Sequence, residues 1–68
     1  MLVNSTAVKE INQTENGFAI TFRNAGTTTY QYKYNAEFAA GLAETMDKGN
    51  SVGRYINYAL RNDLLQPV

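Results

Sequence analysis

Residues 18–34, FAITFRNAGTTTYQYKY, carry the alternation of apolar and polar side chains that decides the fold. Phenylalanine or isoleucine stands at every second position before the NAG segment at 24–26, and tyrosine does so near the end of the stretch. Alternate side chains of a β-strand point to the same face of a sheet. The stretch therefore predicts two strands joined by a turn, each with one apolar face. The apolar positions are Phe18, Ile20, Phe22, Tyr30, Tyr32 and Tyr34.

The turn at 24–26 sets the register of these two strands. A two-residue loop would place apolar residues of one strand opposite polar residues of the other, because a shift of one residue changes the face that a side chain occupies. A three-residue loop with Gly26 in the left-handed conformation pairs Ile20 with Tyr30 and keeps the aromatic residues on one face. We therefore predict the three-residue loop.

A weaker strand is predicted before this hairpin, over residues 6–13. Val8 and Ile11 break the strict alternation, which indicates a bulge or an edge position. A two-residue turn at Asn16-Gly17 would join this strand to the next one and pair Phe22 with Ile11 on the apolar face. Three antiparallel strands in sequence form a β-meander.

The period of the apolar residues changes near Asn35 from two to that of a helix. Asn35 and Ser51 are predicted N-caps of two helices, and Gly49 is the predicted stop between them. The predicted fold is α+β, a three-stranded antiparallel β-meander followed by two α-helices packed on one face (β-β-β-α-α). One domain is expected over residues 1–68, with 64–68 a tail that either packs back on the domain or stays loose. The two apolar stripes are Phe38, Ala39, Leu42, Ala43, Met46 and Val52, Tyr55, Ile56, Ala59, Leu60.

Composition excludes several classes of function. The chain has 68 residues, six basic and six acidic side chains, and neither cysteine nor histidine. The usual ligands of zinc, copper and iron–sulfur clusters are therefore missing, and a serine or threonine nucleophile would lack its commonest base. The carboxylates are scattered along the chain and do not form an acid–base pair. We expect no cofactor, no metal, no catalysis, no membrane segment and a cytoplasmic location.

The tyrosines of the third strand are predicted to belong to the core. Both helices need an apolar surface to cover, and the sheet offers only the face that carries Phe18 and Ile20. Domains that bind single strands on a sheet show aromatic rings on the open face, which here would carry threonine, glutamine, arginine and lysine. We expect Tyr30 and Tyr32 to be buried and Tyr34 to be the exception.

The second helix carries the best candidate for a binding site. Arg54, Asn57, Tyr58 and Arg61 fall on one face at spacings of three and four residues. Two guanidinium groups beside an exposed phenol ring could bind phosphates and stack a base, although a plain solvated helix face would look the same. Lys33 on the open face of the sheet is a further candidate for a phosphate contact.

Short segments spread over most of the chain match the pattern of a known family. They are Ser5-Thr6-Ala7-Val8, Phe22, Gly26, Tyr30-Gln31-Tyr32, Phe38, Leu42 and Ser51-Val52-Gly53-Arg54-Tyr55-Ile56-Asn57. In these residues the sequence resembles the KTSC domain family, which occurs at the C-terminus of some lysyl-tRNA synthetases and as stand-alone bacterial or phage proteins. This sequence departs from the family in having Asn35-Ala36 where the family often has Val-Pro, and a longer connection before Ser51. The resemblance implies RNA binding, with Arg54 and Arg61 as phosphate contacts and with Tyr30, Tyr32, Gly53, Tyr55 and Asn57 as markers of the fold.

Two functions follow as hypotheses. One is a non-catalytic module that binds RNA, tRNA or another single-stranded nucleic acid through the second helix. The other is a protein-interaction module, which docks on a larger enzyme or forms a homodimer. The neutral charge, the uneven first strand and the apolar tail of residues 64–68 favour the second hypothesis.

Overall fold

The computed structural model describes residues 3, 5–23 and 28–68 of the chain. Its three strands are followed by two helices, and the strands form an antiparallel sheet in the order β1-β2-β3. The predicted fold class is therefore confirmed. The elements are β1 (Val8–Gln13), β2 (Gly17–Phe22), β3 (Thr29–Lys33), α1 (Ala36–Asp47) and α2 (Val52–Arg61).

Both helices cover the same face of the sheet. The stripe of α1 buries Phe38 and Leu42, and that of α2 buries Ile56 and Ala59. These side chains form one hydrophobic cluster with the apolar face of the sheet, where Ile20 is completely buried. The remaining members of the cluster are Val3, Val8, Ile11, Phe18, Tyr32 and Leu65.

The register predicted for the second hairpin is confirmed. Ile20 lies opposite Tyr30, and Phe18 lies opposite Tyr32. The backbone N–H of Phe22 donates a hydrogen bond to the carbonyl oxygen of Thr28 at 3.0 Å, as the three-residue loop requires. The left-handed conformation predicted for Gly26 lies outside the described residues.

The turn predicted for the first hairpin is wrong by one position. Glu15 and Asn16 form the turn, Gly17 is the first residue of β2, and Ile11 faces Ile20 instead of Phe22. Glycine is needed at position 17 because a Cβ atom there would collide with backbone atoms of the neighbouring strand. It would meet the carbonyl oxygen of Tyr32 and, at 2.7 Å, the backbone nitrogen of Tyr34. The error moves the pairing by two residues, so Ile11 stays on the apolar face.

The irregularity predicted for the first strand is confirmed. The register of β1 shifts between Val8 and Glu10, which is a β-bulge. Val8 lies opposite Phe22 and is buried, so the bulge returns the start of β1 to the apolar face.

The prediction for the tyrosines is confirmed for Tyr32 and wrong for Tyr30. Tyr32 is buried, whereas Tyr30 keeps 49% and Tyr34 keeps 53% of its surface exposed. The ring of Tyr30 packs edge-on against Phe22 with its centroid 5.8 Å away, and that of Tyr34 stacks on Phe18 at the same distance. Both rings therefore lie on the core side of the sheet but at its rim, because β3 is the edge strand.

The two helices begin and α1 ends as predicted. The side-chain oxygen of Asn35 accepts a hydrogen bond from the N–H of Phe38 at 2.9 Å, and that of Ser51 accepts one from Arg54 at 3.3 Å. After α1, Gly49 takes the left-handed conformation with φ at 69°. The N–H of Asn50 then donates to Thr45 and that of Gly49 to Met46, which is the Schellman arrangement.

Helix α2 ends in a related way, but with an aspartate at the left-handed position. Asp63 has φ at 57°, and the next N–H, that of Leu64, donates to the carbonyl of Ala59 at 2.9 Å. Asp63 is thus the counterpart of Gly49, in a conformation that costs a residue with a Cβ atom about 1 kcal/mol. Its carboxylate also lies at the negative end of the helix dipole.

We expect Asp63→Gly to stabilise the protein by about 0.5–1 kcal/mol, because glycine adopts the left-handed conformation without strain and the carboxylate leaves the helix C-terminus. The matched change in the opposite direction is Gly49→Ala, which should cost about 1 kcal/mol although the new methyl group meets nothing within 4 Å. Urea unfolding followed by circular dichroism measures both. An unchanged midpoint for both variants would show that these two φ values carry no energetic weight.

Residues 64–68 pack back on the domain, which is one of the two alternatives that the sequence left open. Leu65 is buried in the core, and Pro67 forms an antiparallel bridge with Tyr32. The N–H of Lys33 donates to Gln66 at 2.8 Å, and that of Val68 donates to the carbonyl of Gln31 at 3.3 Å. The segment pairs with the outer edge of β3, and the nitrogen of Pro67 faces away from that strand, where a missing N–H costs no pairing.

Candidate nucleic-acid interface

The polar face predicted for α2 exists. Arg54, Asn57, Tyr58 and Arg61 are all exposed, and the buried residues of this helix lie on its other side. Helix α2 contains no acidic residue, and Arg61 lies in its last turn, where a positive charge suits the helix dipole. The structure therefore brings together four of the five residues that the sequence singled out.

The exposed ring of Tyr58 rests on a second ring. Its centroid lies 6.1 Å from that of Tyr55, with 24° between the ring planes, and half of the Tyr58 surface stays open. Tyr55 in turn stacks on the buried Phe38 at 5.4 Å. This support keeps Tyr58 in place with little further loss of side-chain entropy when a ligand packs on it.

Tyr55 is itself held by a hydrogen bond to the neighbouring helix. Its hydroxyl donates to the carbonyl of Phe38 at 2.9 Å, and its ring end lies directly against Gly41, where no side chain intervenes. Burial raises the pKa of the Tyr55 phenol above its ordinary value of 10.0, and the charges of Glu37 and Tyr58 act in the same direction. Burial likewise raises the pKa of Tyr32.

We expect the protein to lose stability as the pH rises above about 10. A phenol whose pKa is raised by folding binds its proton more tightly in the folded state, so its contribution is complete below the unfolded pKa and disappears at higher pH. The midpoint of urea unfolding at neutral pH and near pH 11 measures the loss. Tyr55→Phe should reduce this pH dependence, because it removes one of the two phenols whose pKa is raised by folding.

Lys33 does not join the α2 face directly. Lys33 directly follows the buried Tyr32 in β3, so its side chain leaves the strand on the sheet face away from the helices. The residue lines a small cleft of about 150 Å³ at the end of β3, together with Tyr34, Asn35, Leu64 and Gln66. Leu64 lies three residues after Arg61, the last residue of α2, so the cleft lies just beyond the end of that helix in the chain.

Two other basic side chains are engaged in contacts within the fold. Arg23 donates from Nε to the carbonyl of Ser5 at 2.9 Å and from Nη2 to that of Val3 at 3.5 Å, which ties the N-terminal residues to β2. Lys48, after the end of α1, forms an exposed ion pair with Glu44 at 2.7 Å. Among the residues that the structure describes, neither guanidinium group of α2 forms a hydrogen bond or an ion pair of this kind.

Within the described part of the chain, no three acidic, histidine or cysteine side chains come together in a way that could hold a metal ion. Among the same residues, neither helix has the length and apolar character that crossing a membrane requires.

Comparison of the chain with models of protein families, with curated proteins and with solved structures finds no match in any of the three. The resemblance to the KTSC family therefore stays a prediction.

Sequence reasoning missed two features of this site. Tyr55 was assigned to the apolar stripe, and its role as the support of Tyr58 was not foreseen, although a spacing of three residues between two tyrosines on one helix could have indicated it. The cleft beside Tyr34 was also missed, because it depends on the return of residues 64–66 to the end of β3.

Proposed function

We propose that this protein is a non-catalytic module that binds single-stranded nucleic acid, RNA in particular, through the exposed face of α2. The observation that carries the proposal is the half-exposed ring of Tyr58, supported from below by Tyr55 and flanked on one helix face by Arg54 and Arg61. A ring of this kind offers a base a stacking surface, which is worth about 1–3 kcal/mol per base in proteins that bind single strands.

The two arginines supply the second part of such a site. Arg54 precedes Tyr58 by four residues and Arg61 follows it by three, so each lies one helical turn from the ring. A base stacked on Tyr58 would have its neighbouring phosphates within reach of these guanidinium groups, which bind phosphate oxygens in a bidentate manner. Asn57, beside Tyr58 on the same face, supplies an amide that can donate to a base edge or to a phosphate.

The neutral net charge sets the strength of this interaction. Six basic side chains balance six acidic ones, so there is no long-range attraction to a polyanion beyond the local effect of the α2 arginines. Two phosphate contacts on a single strand correspond to a slope of about −1.4 in a plot of log K against log salt. Binding is therefore expected at low salt and is weakened at physiological salt. This chemistry, together with the KTSC resemblance, supports a cytoplasmic RNA-binding role.

The test is a titration of labelled protein with a short single-stranded RNA, and then with tRNA, followed by amide chemical shifts at low and at physiological salt. We expect salt-sensitive shifts at Arg54, Tyr58 and Arg61, and we expect Arg54→Ala combined with Arg61→Ala to remove binding. Lys9→Ala combined with Lys48→Ala is the matched control, since it removes the same two charges from exposed positions outside α2. Equal loss in both double variants would mean that net charge alone attracts the nucleic acid and that α2 is not its site.

A protein-interaction module is the second candidate. It is favoured by three half-exposed tyrosines, Tyr30, Tyr34 and Tyr58, because tyrosine is enriched at the centres of protein interfaces. Leu65 of the apolar tail does not support a protein-interaction module, because it is buried in the protein's own core. Sedimentation across a wide range of concentrations tests for a homodimer, and a silent nucleic-acid titration would direct the search to protein partners.

A further inference from the structure

Two exposed tyrosines are connected through the core by an unbroken series of ring contacts. Tyr34 stacks on Phe18 at 5.8 Å, and Phe18 meets Phe38 edge-on at 5.0 Å. Phe38 then stacks on Tyr55 at 5.4 Å, and Tyr55 on Tyr58 at 6.1 Å. Tyr34 and Tyr58 are thus two open rings held at a fixed separation by three rings that are buried or partly buried between them.

Both ends of this series lie near the same end of the helix pair. Helix α2 returns along α1 after a short connection, since Tyr55 contacts Phe38 and Gly41 while Leu64 reaches Asn35 just before α1. Arg61 lies between Tyr58 and Leu64 in sequence, and Leu64 lines the cleft together with Lys33 and Tyr34.

We propose that the cleft lined by Lys33, Tyr34 and Gln66 is a second stacking subsite for the same single-stranded nucleic acid, so that the strand runs from Tyr58 past Arg61 to Tyr34. This inference rests on the proposed function of α2 and names the ligand more closely: an unpaired strand with at least two bases accessible for stacking. A duplex does not fit, because its bases are stacked on one another and cannot lie on either ring.

The chemistry of the cleft suits one nucleotide. Tyr34 has one face on Phe18 and about half of its surface open, which matches the state of Tyr58. Lys33 supplies a positive charge for a phosphate, and the side chains of Asn35 and Gln66 bring amide groups that can bond a base edge. A volume of about 150 Å³ is comparable to that of cavities that hold a single small aromatic ring.

The charge along this path attracts an anionic ligand only locally, and it does not distinguish a nucleic acid from an acidic peptide. Arg54, Arg61 and Lys33 lie along it, while Glu37 and Asp63 lie close to it in the chain. Specific contact therefore depends on ring stacking with charge in support. That balance predicts a strong dependence of affinity on the number of unpaired bases.

The experiment measures the affinity of fluorescently labelled RNA oligonucleotides for the intact protein at low salt, from a dinucleotide to about eight nucleotides. Oligodeoxynucleotides of the same lengths form a second arm, which separates RNA from DNA by the 2′-hydroxyl. We expect affinity to rise with length until both rings are occupied, after which it stays constant. Tyr34→Leu should lower the affinity for long oligonucleotides by about 5- to 100-fold and leave that for the dinucleotide unchanged.

Two controls keep folding and binding apart. Tyr34→Phe preserves the ring and should restore the affinity for long oligonucleotides that Tyr34→Leu loses. Tyr30→Leu removes a ring of similar exposure from the other end of β3 and should not lower this affinity. Lys33→Ala should reduce the slope of log K against log salt by about 0.7, the value for one phosphate contact on a single strand.

The outcomes separate this inference from the proposed function. If Tyr34→Leu binds long oligonucleotides as the parent protein does while Arg54→Ala with Arg61→Ala abolishes binding, the second subsite is overturned and the α2 site stands. If no oligonucleotide binds the folded parent protein at low salt, both are overturned.

Discussion

Replacement of Phe38 with alanine is expected to leave most of the protein unfolded at room temperature. Phe38 is completely buried and its ring contacts both Phe18, at 5.0 Å, and Tyr55, at 5.4 Å. Removal of a buried phenylalanine ring costs about 3–5 kcal/mol. A single core in a chain of this size leaves about the same net stability, so the loss equals the whole reserve.

Circular dichroism and urea unfolding test this expectation. The control is Phe38→Leu, which keeps an apolar side chain at the junction of β2, α1 and α2 and should leave a cooperative transition at lower urea. Because Tyr55 rests on this ring, Phe38→Leu should also weaken the proposed binding of RNA through Tyr58 while the chain remains folded. A Phe38→Ala variant that unfolds within about 1 kcal/mol of the parent protein would show that the core is not organised around this ring.

Replacement of Leu65 with alanine is the second large effect that we expect, at about 2–4 kcal/mol. Leu65 is 4% exposed and belongs to the central cluster, although it lies only three residues before the last residue of the sequence. Its loss should release the pairing of Gln66 and Val68 with β3 and open the core at the end of the sheet.

Amide hydrogen exchange resolves this second effect by residue. In Leu65→Ala the N–H of Lys33, bonded to Gln66, should exchange faster than in the parent protein, while the N–H of Phe22, bonded to Thr28, keeps its relative protection. Leu64→Ala is the matched control, because Leu64 is only partly buried and should cost clearly less. Equal destabilisation by the two variants would contradict the anchoring role of Leu65.

The sequence was sufficient to predict the elements of this fold because its periodicity and its capping residues agree. The change of period at Asn35 marks the passage from strands to helices, and the caps at Asn35 and Ser51 lie where their side chains indicated. The register of β2 and β3 followed from the requirement that aromatic residues share one face.

What failed depends on contacts between distant parts of the chain. Asn16-Gly17 is a good turn by local rules, but the backbone at Tyr32 passes so close to residue 17 that glycine is required in the strand. The tail pairs with β3 because Leu65 finds room in the core, which no local pattern reveals. The exposure of Tyr30 follows from its position at the rim of an edge strand and not from its place in the alternation.

The residues of the α2 face, like the helices and strands themselves, could be predicted from the sequence. The α2 face follows directly from helical spacing, so Arg54, Asn57, Tyr58 and Arg61 could be grouped from the sequence. The stacking of Tyr58 on Tyr55 could have been indicated by their spacing of three residues on one helix. The cleft beside Tyr34 could not be predicted, since it depends on the return of residues 64–66 to the end of β3.

The position of Pro67 affects whether the sheets of separate molecules can pair at their edges. Its nitrogen faces outward from the strand-like segment that borders the sheet, opposite Tyr32. A strand from another molecule that approached there would find no donor at the position of Pro67, so pairing between the sheets of separate molecules is disfavoured along this border.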